Sequence, residues 1–156
     1  MLKNKKGFTL IELLVVIAII GLLSTLAVVA LTSARQKARD SKRVSDMKQL
    51  QTAMELLFSS NNSYTIAATC TAPKAVSDAA CAIGTAFTDY LPNAATMKDP
   101  STGATTPLCT AASAVICQYA FTTTPGDTTY KVNFYLESKT GDLAAGVHEV
   151  SPAGLK

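Results

Sequence analysis

The chain has 156 residues, 48% of them hydrophobic, and a net charge of +3 at pH 7. That length holds one domain with an appendage, and the basic excess is not spread over it as in a general nucleic-acid binder. It flanks one apolar block: Lys3, Lys5 and Lys6 precede it and Arg35, Lys37, Arg39, Lys42, Arg43 and Lys48 follow it, whereas from Ser59 onward five basic residues face seven acidic ones.

The block, Phe8 to Leu31, is 24 residues long and carries a single charge, Glu12. As a helix it reaches about 36 Å, more than the hydrocarbon layer of about 30 Å, so it can span a bilayer with some tilt. A secretory signal has an apolar core of only about 7–15 residues, which makes a cut near Thr32-Ser33-Ala34 the weaker reading. A carboxylate in such a span costs about 2.5–3.5 kcal/mol at the centre and less near an end. Glu12 is near an end, where the helix macrodipole favours it and an amine on a neighbouring helix could neutralise it. A plain anchor has no use for such a residue. By the positive-inside rule alone, the basic residues after Leu31 would keep the C-terminal part in the cytoplasm. The four cysteines point to an oxidising compartment, and we side with export.

Lys5-Lys6-Gly7 followed by Phe8-Thr9-Leu10-Ile11-Glu12 and a long apolar helix resembles the class III signal of type IV pilins and of type II secretion pseudopilins. The resemblance implies a basic leader over 1–7, a cut after Gly7 by a prepilin peptidase, and methylation of Phe8 by the same enzyme. It implies an assembly role for Glu12, with Thr9 beside it, through the amine of a neighbouring subunit. The partners implied are further copies of the chain in a helical homopolymer, the peptidase/methyltransferase, a membrane platform and a motor ATPase. The precursor would sit in the cytoplasmic (inner) membrane with its head exported, and the product would be an extracellular or periplasmic filament. A type IV pilus-like subunit is the first reading and a type II secretion pseudopilin the alternative. A monomeric membrane-tethered binding module, for DNA for example, is the reading from a different class. Many family members carry a proline two-thirds along this helix; here Val29 stands in that place and imposes no kink. Gly21 and Thr25 form a small-x-x-x-small pair suited to close helix contact.

Beyond Leu31, Ala34, Ala38, Val44, Met47, Leu50, Met54, Leu57 and Phe58 recur at mostly three- and four-residue steps. With no proline or glycine from Leu22 to Phe58, one helix from Phe8 to about Ser59 is expected, amphipathic over 32–59 and stopped by Ser59-Ser60-Asn61-Asn62-Ser63. Its apolar stripe should carry a head formed by 60–156. The basic cluster 35–43 reads as a solvated collar facing lipid headgroups, and nucleic-acid binding has no support.

The head holds Cys70, Cys81, Cys109 and Cys117. No C-x-x-C pair occurs and the single histidine is distant in sequence, so disulfides are expected rather than zinc. Three connectivities are open; the local pairs Cys70–Cys81 and Cys109–Cys117 are preferred, each contributing about 2–3 kcal/mol. Ala86–Leu91 reads as a short helix or turn, and Leu91-Pro92 with Lys98-Asp99-Pro100 resembles the loop leading into the sheet of G-type pseudopilins. Strands are expected over Val115–Thr122, with Cys117, Tyr119 and Phe121 on one face. Further strands are expected over Tyr130–Glu137, with Tyr130, Val132, Phe134 and Leu136 inward, and over Leu143–Val150. The fold class is therefore α+β and pilin-like: a long N-terminal helix on a small three-stranded antiparallel sheet.

No catalytic constellation emerges. His148 and Glu149 are adjacent strand residues on opposite faces, and a lone strand histidine is expected to be exposed. Asp127, Asp142 and Glu149 could gather as calcium ligands, as in G-type pseudopilins, but the acid-rich loop this needs is missing; no metal and no cofactor is expected.

Overall fold

In a computed structural model of the chain, residues 7–82, 86–101 and 106–156 are described. The expected leader, with Lys3, Lys5 and Lys6, lies outside them apart from Gly7. The chain divides into two compact units, one ending at Arg35 and one running from Gln36 to Lys156; helix α1 (Leu10–Asn61) supplies structure to both.

In the first unit every residue from Gly7 to Arg35 is exposed. Large apolar side chains gain about 1.5–3 kcal/mol each on leaving water, so this surface calls for lipid or protein around it. By length and composition the helix can cross a membrane. Helical form also suits that setting, because backbone donors and acceptors are satisfied within the segment. Two hydroxyls are satisfied locally as well. Thr25 donates to the Leu22 carbonyl at 2.8 Å, and Thr32 donates to that of Val28 at 3.0 Å.

In the second unit α1 presents Arg43, Met47, Leu50, Met54 and Leu57, at alternating four- and three-residue steps, and all five are fully buried. The helix runs past Ser59 to Asn61. Asn62 closes it in a left-handed conformation, φ 53°, its N–H donating to the Phe58 carbonyl at 2.7 Å. Asparagine tolerates that backbone better than most residues do. Short helices α2 (Ala79–Ala82) and α3 (Ala86–Tyr90) follow.

The sheet has five strands, not the three expected: β1 (Lys74–Ala75), β2 (Ala120–Thr123), β3 (Lys131–Leu136), β4 (Gly146–Ser151) and β5 (Gly154–Leu155). They lie in sequence order and pair antiparallel throughout. The two missed strands have two residues each, too short for any alternation to register. Central strand β3 pairs Val132 with Phe121 on one side and Phe134 with His148 on the other. Tyr130, Val132, Phe134 and Leu136 are all fully buried and join the helix stripe in one core cluster.

All three expected strands prove shorter, β3 by one residue at each end. Ahead of β2, Gln118 bridges back to Leu108 instead of pairing with β3, the two residues flanking the Cys109–Cys117 disulfide. Ahead of β4, Thr140 and Leu143 exchange backbone hydrogen bonds at 2.9 and 3.2 Å around Gly141, whose φ is 61°, and this tight turn uses up residues expected to be strand. The second disulfide joins Cys70 to Cys81, and all four cysteines are buried.

The basic cluster 35–43 is not the uniformly solvated collar its sequence suggested. Arg35, Lys37 and Lys42 are exposed, but Arg39 is half-buried and Arg43 is completely enclosed. Arg43 donates through Nε and Nη2 to the Asp99 carboxylate at 2.6 and 2.9 Å. Its Nη1 reaches Asp40 at 2.6 Å and Glu137 at 2.7 Å, and Nη2 also reaches the Ser101 hydroxyl at 2.8 Å. Arg39 grips Glu137 at two points, 2.7 and 2.6 Å. The Asp40 carboxylate also accepts from the N–H groups of Glu137 and Ser138 at 3.0 and 2.8 Å, and from the Ser138 hydroxyl at 2.6 Å. The charges missed as structural elements thus form a clamp joining α1, the loop at 99–101 and the end of β3. A burial stripe extrapolated from Met47 and Leu50 passes through position 43, but an arginine there reads as solvated until its partners are known.

The clamp makes the head sensitive to acid. The Arg39 hydrogen bonds, with help from Arg43 and against the effect of burial, hold the Glu137 carboxyl at about 2, below its ordinary 4.5. Burial pushes Asp40 upward, but hydrogen bonds from Ser138, Glu137 and Arg43 outweigh it and the net shift is down. A carboxyl lowered in the folded state contributes stability that is present above its unfolded pKa and lost as pH falls through its folded one. Asp46 acts in the opposite sense: burial raises it, only partly offset by the Tyr119 hydroxyl at 3.2 Å, so its protonation relieves a buried charge. The thermal midpoint of the head is therefore expected to stay level from pH 7 to about 5 and to drop between about 4.5 and 2. A melting series read by circular dichroism checks this, and a midpoint unchanged down to pH 2 would contradict it.

Candidate processing and assembly site

Residues 7–9 precede the helix and have no regular secondary structure. The Gly7–Phe8 bond therefore lies in non-helical, exposed backbone, the form in which a protease can bind a substrate. No heavy atom lies within 4 Å of where a Cβ on Gly7 would sit, and Phe8 is 81% exposed.

Thr9 caps the helix. Its backbone N–H and its hydroxyl both donate to Glu12 Oε2, at 2.8 and 2.7 Å, and the Glu12 N–H donates back to the Thr9 hydroxyl at 3.3 Å. This is a capping box: a threonine before the first turn, a glutamate three residues on, and orphan backbone donors satisfied reciprocally. The cap explains why the helix begins at Leu10 and not at the expected Phe8. Glu12 is thus fixed in the first turn, at the positive end of the macrodipole. Both Thr9 bonds fall on one carboxylate oxygen, which leaves Oε1 open to a donor from outside the chain.

Farther along, a Cβ on Gly21 would meet nothing within 4 Å. Packing within the chain does not require that glycine.

The residues weighed for chemistry in the head stay apart. Glu149 pairs with Lys131 at 3.1 Å, Asp127 accepts from the Ser63 hydroxyl at 3.1 Å, and Asp142 is exposed. Among the described residues no group of three or more His, Cys, Asp or Glu side chains stands open to hold a metal ion. His148 is half-buried rather than exposed, lying 5.6 Å from the Phe134 ring with its nitrogens 3.0 and 2.8 Å from the carbonyls of Lys156 and Ala144. Both carbonyls are acceptors and a neutral imidazole has one N–H, so the ring donates to one of them at a time and serves as a structural fastening between β4 and its neighbours.

The family model described as the prokaryotic N-terminal methylation motif matches residues 2–28. The N-terminal segment carries that motif, which proteins of type IV pili and type II secretion share with it over about 60 residues. Relatives of this pilin-like chain come from both branches. It is 40% identical over 62 residues to the type II secretion system core protein G of Aeromonas hydrophila, covering 40% of this chain and 43% of that one. It is 42% identical over 64 residues to the major component of the type IV wide pilus of Thermus thermophilus, covering 41% and 49%. Against the type IV major pilin of Myxococcus xanthus it is 36% identical over 61 residues, covering 39% and 28%. The chain thus spans less than half the length of these curated relatives. No solved structure matches it significantly.

Proposed function

We propose that the chain is a prepilin-like structural subunit. It comprises a leader over 1–7, a membrane and assembly segment over 8–31, an amphipathic continuation over 32–59 and a disulfide-stapled head over 60–156. A prepilin peptidase cuts after Gly7 and methylates Phe8. The precursor waits in the cytoplasmic membrane with its head exported, and copies then bundle through their helices into an extracellular or periplasmic filament. Glu12 sets the register by accepting from the N-terminal amine of a neighbouring copy, and Thr9 holds the carboxylate in place for it. An assembly platform and a motor ATPase are other proteins. The work is mechanical and not enzymatic.

One observation carries this reading. The wholly exposed apolar segment of α1 has its single carboxylate in the first turn, just beyond an accessible Gly7–Phe8 bond. Paired charges attract strongly in a low dielectric, so a residue costly to a lone helix becomes a reason for helices to associate in register. Relatives named as secretion proteins and as pilins support a pseudopilin as the alternative, acting by the same physics. A monomeric tether would need neither the cut nor the acid.

Mass spectrometry of the N-terminus recovered from membranes or shed filaments tests the proposal. The expected chain begins at methylated Phe8. Recovery of filaments whose subunits still begin at Met1 would reject it.

A further inference from the structure

Around Arg43 the side chains form a cage of oxygens. Asp40 Oδ1, both Asp99 oxygens, Glu137 Oε1 and Ser101 Oγ lie 2.6–2.9 Å from the guanidinium nitrogens. The side chains of Asp40 and Asp99 are 0% exposed and that of Glu137 is 8% exposed. Three carboxylates face two guanidiniums, Arg43 and the partly exposed Arg39, which leaves one negative charge in excess. Every donor atom is a hard oxygen. That set suits a hard divalent or trivalent cation and has nothing to offer a soft metal. A divalent ion in place of the Arg43 charge would bring the cage to neutrality.

We propose that Arg43 is the built-in counter-ion of the head, filling a cage that would otherwise need a dissolved hard cation. A guanidinium neither dissociates from the chain nor gives up its proton in a protein. It also spreads its donors in a plane, which is how one side chain satisfies oxygens from α1, the loop at 99–101 and the end of β3 together. The fastening of these three segments is therefore constitutive and independent of metal supply. Shortening the side chain at 43 removes the tethered charge, leaves the oxygens behind and turns the cage into a cation site. This holds whether or not the chain polymerises.

The test uses the full chain in a non-ionic detergent, melted in EDTA and in calcium, with tyrosine-sensitised terbium luminescence as the binding probe. Tyr119 suits that probe, because it is buried and its hydroxyl donates at 3.2 Å to Asp46, one helical turn along α1 from Arg43. The wild type is expected to melt at the same temperature in both buffers. Arg43→Ala is expected to melt more than about 10 °C lower in EDTA, since a buried charge cluster has lost its partner. Calcium should recover a large part of that loss, and terbium should bind the variant about tenfold or more tighter than the wild type. Arg43→Lys keeps a tethered charge and should stay indifferent to calcium, although less stable. If Arg43→Ala does not fold in EDTA, calcium is expected to restore near-native circular dichroism. Stabilisation of the wild type by calcium would overturn the proposal. So would an Arg43→Ala chain, folded or unfolded, that gains nothing from either ion.

Discussion

Replacing Glu12 with leucine is expected to abolish filament formation while leaving the precursor in the membrane and the head folded. Two effects of the substitution have opposite signs. The apolar segment becomes easier to insert, by up to about 2.5–3.5 kcal/mol on insertion scales and less at this end position. The capping box is lost at a cost of about 0.5–2 kcal/mol, confined to the first turn. Neither effect is large enough to prevent a long apolar helix from forming in a bilayer, so a loss of filaments would report the missing charge pair. Glu12→Gln separates the two roles. Glutamine can still reach back to the cap, but it offers no negative charge to an incoming amine. Both variants should fail to assemble, as counted by electron microscopy of shed material and by membrane fractionation. Filaments at wild-type levels from Glu12→Gln would show that Glu12 matters only as a cap.

The second large effect is expected in the head. Asp40→Ala removes a fully buried carboxylate that accepts from the Arg43 guanidinium, from the backbone of Glu137 and Ser138, and from the Ser138 hydroxyl. Breaking a buried pair from one side costs about 3–5 kcal/mol, because the remaining charge and donors stay buried without compensation. Equilibrium denaturation should register that loss. The Lys131–Glu149 pair provides the internal comparison, with side chains 47% and 32% exposed. Lys131→Ala is expected to cost less than about 1 kcal/mol, since water and salt already screen an exposed pair. Equal losses from the two variants would mean that the clamp does not hold the head together.

The periodicity of β3 was enough to place Tyr130, Val132, Phe134 and Leu136 inward, because alternation along a strand is a local property that burial on one face makes visible. The three- and four-residue steps of Met47, Leu50, Met54 and Leu57 were legible for the same reason. The capping box was also within reach, since Thr9 and Glu12 have the required spacing before an apolar run, although only its geometry shows that the two Thr9 bonds share one oxygen. The two-residue strands at the sheet edges were beyond reach. A strand that short owes its form to the neighbour it pairs with.

By itself the sequence determined whatever depends on residues close together along the chain: an apolar block with one acid near its start, and a helix stripe and a strand stripe that could face each other. Only the tertiary structure decided the state of Arg43, whose partners Asp99 and Glu137 are 56 and 94 residues away. The physical reason is that burial of an apolar side chain is favourable almost anywhere, so its pattern survives in one dimension. A charge is tolerated inside a protein only where opposite charges and hydrogen bonds converge on it, and that convergence exists only once the chain has folded.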